Sequence, residues 1–141
     1  MDLKIARWLI TLPAAFLLVV PPIADLNASH VGHPLWTPHA RLHTVWLLST
    51  NCLVALIALI HLWRANPLNA ARLRHALWLT ATILAGFFIA TATRSLYGGA
   101  LSDETGIEAT IAGLNPNLVA FSVLSLLLGA AAIGLRGRGD D

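Results

Sequence analysis

Residues 37–63 read TPHARLHTVWLLSTNCLVALIALIHLW, and the change in character along this run decides the fold. Thr37 is placed to cap a helix, and Pro38 stands in its first turn, where the missing N–H costs nothing. Beyond Thr50 the run is almost purely apolar apart from Asn51. A hydrocarbon core about 30 Å thick is crossed by about 20 apolar helical residues. A helix of this length has residues to spare, so its first turns, with His39 and His43, are expected at the level of the lipid headgroups.

Working outward, three more segments have the same character. Residues 5–24 are apolar over a membrane's thickness, although Pro13, Pro21 and Pro22 interrupt them. Pro13 is expected to kink the helix and the Pro21-Pro22 pair to mark its exit, because a proline removes a donor that lipid cannot replace. Lys4 and Arg7 at the start of this run also fit a signal peptide cleaved after Ala24. Pro22 three positions before that cleavage point suits a signal peptidase poorly, which favours a retained span. A third segment covers about 73–94 and closes at Arg94 and the turn Gly98-Gly99; RANPLNAARLR at 64–74 reads as a basic loop. The fourth, about 116–135, opens with Asn115-Pro116, another capped start.

The expected fold is an all-α membrane protein: a single four-transmembrane-helix bundle over 1–141, with outer connections at 25–37 and 95–115. Composition agrees. The chain is 57% hydrophobic and 11% charged, and its mean hydropathy of +0.71 exceeds what a water-soluble domain normally tolerates. Much of the surface must therefore meet a lipid bilayer. The lone Cys52 excludes a disulfide within one chain.

The net charge of +2 is topological information. Lys4 and Arg7, then Arg64, Arg72 and Arg74, then Arg136 and Arg138 fall on one side of a four-span arrangement, and segments rich in such residues stay cytoplasmic. Both termini are thus expected to be cytoplasmic, in a plasma membrane or a bacterial inner membrane, with the histidine stretch on the extracytoplasmic side. No basic patch with stacking aromatics accompanies these charges, so nucleic acid is not an expected partner.

Polar chemistry concentrates in DLNASHVGHPLWTPHARLH, residues 25–43, which holds four of the six histidines. His39 and His43, four apart on a helix, lie about 40° from each other and one turn apart, so both can reach one ion. Trp46 and Thr50 continue that face, and such a polar stripe is expected to face the bundle interior, since lipid offers no hydrogen bonds. The plainer alternative is an aromatic belt anchoring the helix at the headgroups. His30 and His33 precede Pro34 in a loop that imposes little geometry. Asp25 and Asn27 follow the exit of the first span and can ligate, cap or hydrate the turn. Glu104 and Glu108 repeat the four-residue spacing on an expected short outer helix that starts at Ser102 or Asp103 and ends near Gly113. If that helix folds over the bundle, His39, His43, His30, Asp25, Glu104 and Glu108 converge on a mixed site suited to a divalent transition metal: zinc, iron, manganese or copper. Otherwise the acidic segment is simply a solvated face. The His-x-x-x-His spacing lacks the glutamate of the full zinc-protease motif.

Arg41 and Arg94 are the only cations expected on the outer side, available to an anionic substrate group or to a carboxylate. Thr80 and Thr91, like Ser122 and Ser125, are the kind of small hydroxyl residues that serve helix contacts. His61 and His75 lie on the inner side, with no spacing or partner at matching depth to support a haem pair.

The pattern Asp25-x-Asn27-x-Ser29-His30-x-x-His33-Pro34-x-Trp36-x-Pro38-His39-Ala40-Arg41-x-His43 resembles a segment of an uncharacterised group of small four-span membrane proteins from bacteria and fungi. About 20 residues carry the resemblance; beyond them the hydropathy profile alone matches. Asparagine often stands at the position of His33 in that group, so the resemblance implies Asp25, Asn27, His30, His39 and His43 as the site and names no reaction.

Three functions follow as expectations. The first is a membrane enzyme acting on a lipid-soluble small molecule, with His39, His43, Asp25 and Arg41 as catalytic residues, working through a metal-activated water or through histidine acid/base chemistry. The second is an accessory subunit of a larger membrane complex, or a homo-oligomer, with the histidines and tryptophans as interface anchors or as holders of a pigment or haem. The third, a metal or proton transporter, requires polar groups through the full depth of the bundle, and the apolar run beyond Thr50 argues against it.

Overall fold

The computed structural model describes residues 1–64, 66–102 and 110–138. Four α-helices follow one another: α1, Leu3–Asp25; α2, Pro38–Trp63; α3, Ala70–Thr93; and α4, Pro116–Leu135. A short 3-10 turn, Arg94–Leu96, extends α3. Each helix is long and apolar enough to cross a membrane, and the expected all-helical, four-span architecture is what the structure shows.

Local sequence sets the helix starts. The side chains of Asp2, Thr37, Asn69 and Asn115 each accept a hydrogen bond from a first-turn backbone N–H, at 2.9, 3.2, 3.0 and 2.9 Å. Pro38 and Pro116 follow two of these caps directly, as the sequence indicates. At α3 the sequence reading is corrected. The helix starts at Ala70, within the stretch read as a basic loop, because the Asn69 side chain accepts from the amide of Arg72 and caps the first turn.

α1 departs from expectation in a second way. It stays helical through Pro21 and Pro22 to Asp25, so the pair does not mark its exit. A proline at position 22 leaves the Leu18 carbonyl without its intrahelical donor. The Cys52 thiol on α2 donates to that carbonyl at 3.6 Å, so the one cysteine supplies a donor that lipid cannot.

The helices run antiparallel in chain order. Cys52 meets Leu18 and Trp63 Nε1 donates to Thr11 Oγ1 at 3.2 Å, which registers α2 against α1. Phe121 of α4 stacks on Phe87 of α3 with ring centroids 3.9 Å apart and packs edge-on against Phe16 of α1 at 6.3 Å. Each helix packs against its neighbours, and α1 also touches α3 across the middle. The core is mostly leucine and alanine: Ala14, Ala55, Ala58, Ala76 and Ala131 have no accessible surface, which lets the backbones approach closely. The buried threonines, Thr11 and Thr80, donate their hydroxyls to carbonyls of their own helices. Large apolar side chains such as Leu12, Ile23, Leu53, Trp78, Ile89 and Leu126 cover the outside, as a lipid solvent requires.

One end of the bundle is basic and tied together. Arg74 donates to the carbonyls of Leu135 and Arg138, and Arg138 donates to that of Met1. The Arg7 guanidinium lies 4.3 Å from the Trp63 ring, and Trp8 packs edge-on against the same ring at 5.1 Å. His61 and His75 also meet at this end, with ring centroids 6.1 Å apart. The sequence reading, which found them no partner at matching depth, is thereby corrected: both flank the short α2–α3 connection.

If Cys52 serves the carbonyl that Pro22 frees, the two positions are coupled. Cys52→Ala is expected to lower stability in micelles by about 0.5–1 kcal/mol in the natural chain and by less in a Pro22→Ala background, where the helix closes its own bond. A double-mutant cycle on unfolding midpoints measures the coupling.

Candidate functional site

The end opposite the arginine cluster carries the first connection, 26–37, and the described parts of the second, 97–102 and 110–115. Asn27 organises the first. Its Nδ2 donates to the Ala24 carbonyl at 2.7 Å, closing the end of α1, and its Oδ1 accepts from both the backbone N–H and the hydroxyl of Ser29, at 2.9 and 2.7 Å. Its own carbonyl accepts from Gly32 at 2.8 Å, which folds the loop back. A Cβ at position 32 would stand 3.0 Å from that carbonyl oxygen, so a glycine fits the turn. From the other side Arg41 Nη2 donates to the His33 carbonyl at 3.0 Å and tethers the loop to α2. The Arg41 Nε is buried and has no partner among the described residues.

This scaffold fixes His30. Its Nδ1 lies 2.9 Å from Ser29 Oγ, and its Nε2 lies 3.9 Å from Asp25 Oδ1. Because Ser29 gives its own proton to Asn27, Nδ1 of the neutral imidazole is the donor to Ser29. Nε2 then carries the free lone pair and lies on the Asp25 side of the ring. Trp36 packs edge-on against the imidazole at 6.2 Å. His30 is 38% exposed and Asp25 34%, so both are reachable from solvent.

These groups border cavities. One of about 510 Å³ is lined by Ser29, His30, His33 and Trp36 from the first connection and by Leu101 and Ser102 from the second. Asp25 lines another of about 230 Å³, walled by Phe16, Phe87 and Phe121 with Asn117 at its rim. Between them lies a third, of about 180 Å³, which shares Leu101 with the first and Phe87 and Asn117 with the second and is bordered by Arg94 and Tyr97. Arg94 Nη1 donates to the Thr91 carbonyl and Tyr97 Oη to that of Ala90, each at 2.7 Å. Sequence reasoning passed over Tyr97 and Asn117. The proximity of Asn117 to the Asn115 cap was the available signal.

His39 and His43 form a separate pair. Their Nε2 atoms are 3.0 Å apart, their rings stand nearly perpendicular at 4.5 Å, and Trp46 lies 5.8 Å from the His43 ring. The expectation that the stripe His39, His43, Trp46 and Thr50 faces the interior is corrected: all four are exposed. α2 buries Leu48, Ala55, Ala58 and Leu62 instead, so the apolar face won the contact with the bundle and the polar stripe was turned outward. Among the described residues no three His, Cys, Asp or Glu side chains are grouped to hold a metal ion. Glu104 and Glu108 lie outside the described residues. Where the expected outer helix was to end, Ile111 and Leu114 exchange both backbone hydrogen bonds at 3.0 Å around Ala112 and Gly113 at positive φ, a tight hairpin turn.

Fold and site together define a class: a small membrane-type four-helix bundle, tied together at a basic end and bearing histidines at the other. The sequence profile of DUF6640, a family of unknown function, matches residues 9–141, and the chain belongs to that family. No functionally described protein and no solved structure matches the chain.

The loop geometry makes Asn27 a positioning residue for His30. Asn27→Ala is expected to raise the thiol-labelling rate of a Val31→Cys reporter, in a Cys52→Ser background, by roughly fivefold, the equivalent of about 1 kcal/mol of local order. Ser29→Ala, which leaves the Asn27 bond to Ala24 intact, should raise it less.

Proposed function

We propose that this chain is an integral membrane enzyme in which His30 exchanges a proton with a small lipid-soluble molecule at the outer end of the bundle. The observation that carries the reading is that His30 joins a carboxylate partner, a hydroxyl partner and a cavity wall. Nε2 takes a proton from the substrate or returns one, Asp25 stabilises the imidazolium, and Ser29, held by Asn27, fixes the ring. Leu35, Trp36 and Leu101 give the first cavity apolar walls, and Phe16, Phe87 and Phe121 do the same around Asp25. Arg94, on the cavity between them, supplies a positive charge for a polar substrate group. Arg41 acts through the loop it tethers, not on the substrate.

The positive-inside rule supports the orientation. Lys4, Arg7, Arg64, Arg72, Arg74, Arg136 and Arg138 belong to the end we assign to the cytoplasm, which puts both termini there and the histidine stretch outside. Transport is the less favoured reading: the buried polar side chains described are Thr11 and Thr80, both bonded within their own helices, so they offer no polar path across the core. An accessory-subunit role gains support from the outward stripe of His39, His43 and Trp46, which gives a partner a surface to meet.

Two measurements test this reading. Wild-type protein and variants in nanodiscs are incubated with lipid-soluble extracts of the native membrane, and turnover is followed by mass spectrometry. His30→Ala is expected to lose about 100-fold or more of the turnover, Asp25→Asn less, and His39→Ala little; full turnover by His30→Ala rejects the assignment. In intact cells, with Cys52→Ser as background, a Ser95→Cys reporter should react with a membrane-impermeant maleimide and an Arg136→Cys reporter only after permeabilisation. The reverse pattern inverts the topology.

A further inference from the structure

We infer that His39 and His43 are one half of a divalent transition-metal site that a second copy of this chain completes. The inference uses none of the residues assigned to proton exchange and stands apart from that assignment. The Nε2 atoms lie 3.0 Å apart. Two imidazoles on one ion at about 2.0–2.1 Å per bond are about 3.3 Å apart in a tetrahedron and about 2.9 Å apart at a right angle. The pair therefore already has the bite of two ligands on one ion, and its spacing on a continuous helix maintains it.

Two nitrogens leave such an ion half-coordinated. Among the described residues no third ligand joins them. The missing pair has a natural source, because copies inserted in one orientation associate about an axis along the membrane normal, which brings residues of equal depth face to face. His39 and His43 of one copy then meet His39 and His43 of the next, and four neutral imidazoles enclose the ion. The surrounding face suits a second copy: Leu42, Trp46 and Leu53 are exposed at 64%, 61% and 60%. Ser49 and Thr50, exposed one turn deeper, are small enough for two α2 helices to cross closely. Zinc fits a four-imidazole site best, and cobalt reports on it spectroscopically.

The test uses the full chain, stripped with chelator and reconstituted in liposomes. Cobalt titration should saturate at one ion for every pair of chains, with the visible absorption of a four-coordinate ion, and zinc should displace it. His39→Ala and His43→Ala should each weaken binding at least tenfold, whereas His30→Ala should leave it unchanged. In a Cys52→Ser background, zinc should accelerate oxidative cross-linking of Leu42→Cys between copies, and chelator should reverse the acceleration. Binding equal to that of the His39→Ala/His43→Ala double variant shows that the two rings merely share a proton and overturns the inference. So does saturation at one ion per chain with no effect of zinc on cross-linking.

Discussion

The structure depends on a single constraint: in hydrocarbon every backbone N–H and C=O must find its partner within the protein. Helices meet most of this demand themselves, and the exceptions show what sequence features are for. Prolines in α1 free carbonyls, and one of these is met by the Cys52 thiol of the neighbouring helix. Each helix starts on a side chain that takes up a first-turn N–H. At the end of α4, Arg74 reaches across from α3 to the Leu135 carbonyl. A thiol and an arginine that would be incidental in water thus become structural.

The two ends of the bundle meet this constraint differently. At the basic end, links from Arg74 and Arg138 and the stacking of Arg7 and Trp8 on Trp63 lock the helices together. The other end is held by loops whose hydrogen bonds are mostly local, around Asn27 and Arg41, and it leaves space between them. A rigid scaffold that presents polar groups on loops is a common arrangement for a site.

The histidines divide according to what surrounds them. His30, in the loop, gains a carboxylate, a hydroxyl and a cavity. His39 and His43, on the helix, gain each other, the Trp46 ring and an outward face. The same residue type thus serves, in our proposals, proton exchange inside one chain and an ion between two.

Much of the architecture was legible in residue order. Apolar runs of membrane length, the Thr37-Pro38 and Asn115-Pro116 starts and the spacing of the arginines follow from rules that act within a few residues, so the sequence alone determined four spans. It also marked residues 25–43 as the polar segment and set His39 and His43 one helical turn apart. It did not determine which face of α2 the bundle would take, because a stripe of imidazoles and a stripe of leucine and alanine have the same period. Burial of Leu48, Ala55, Ala58 and Leu62 settled that competition. Likewise, only the tertiary structure paired Asp25 with His30, Cys52 with Leu18 and His61 with His75, since these contacts depend on how loops close and how helices register against each other, and neither is written in the local pattern.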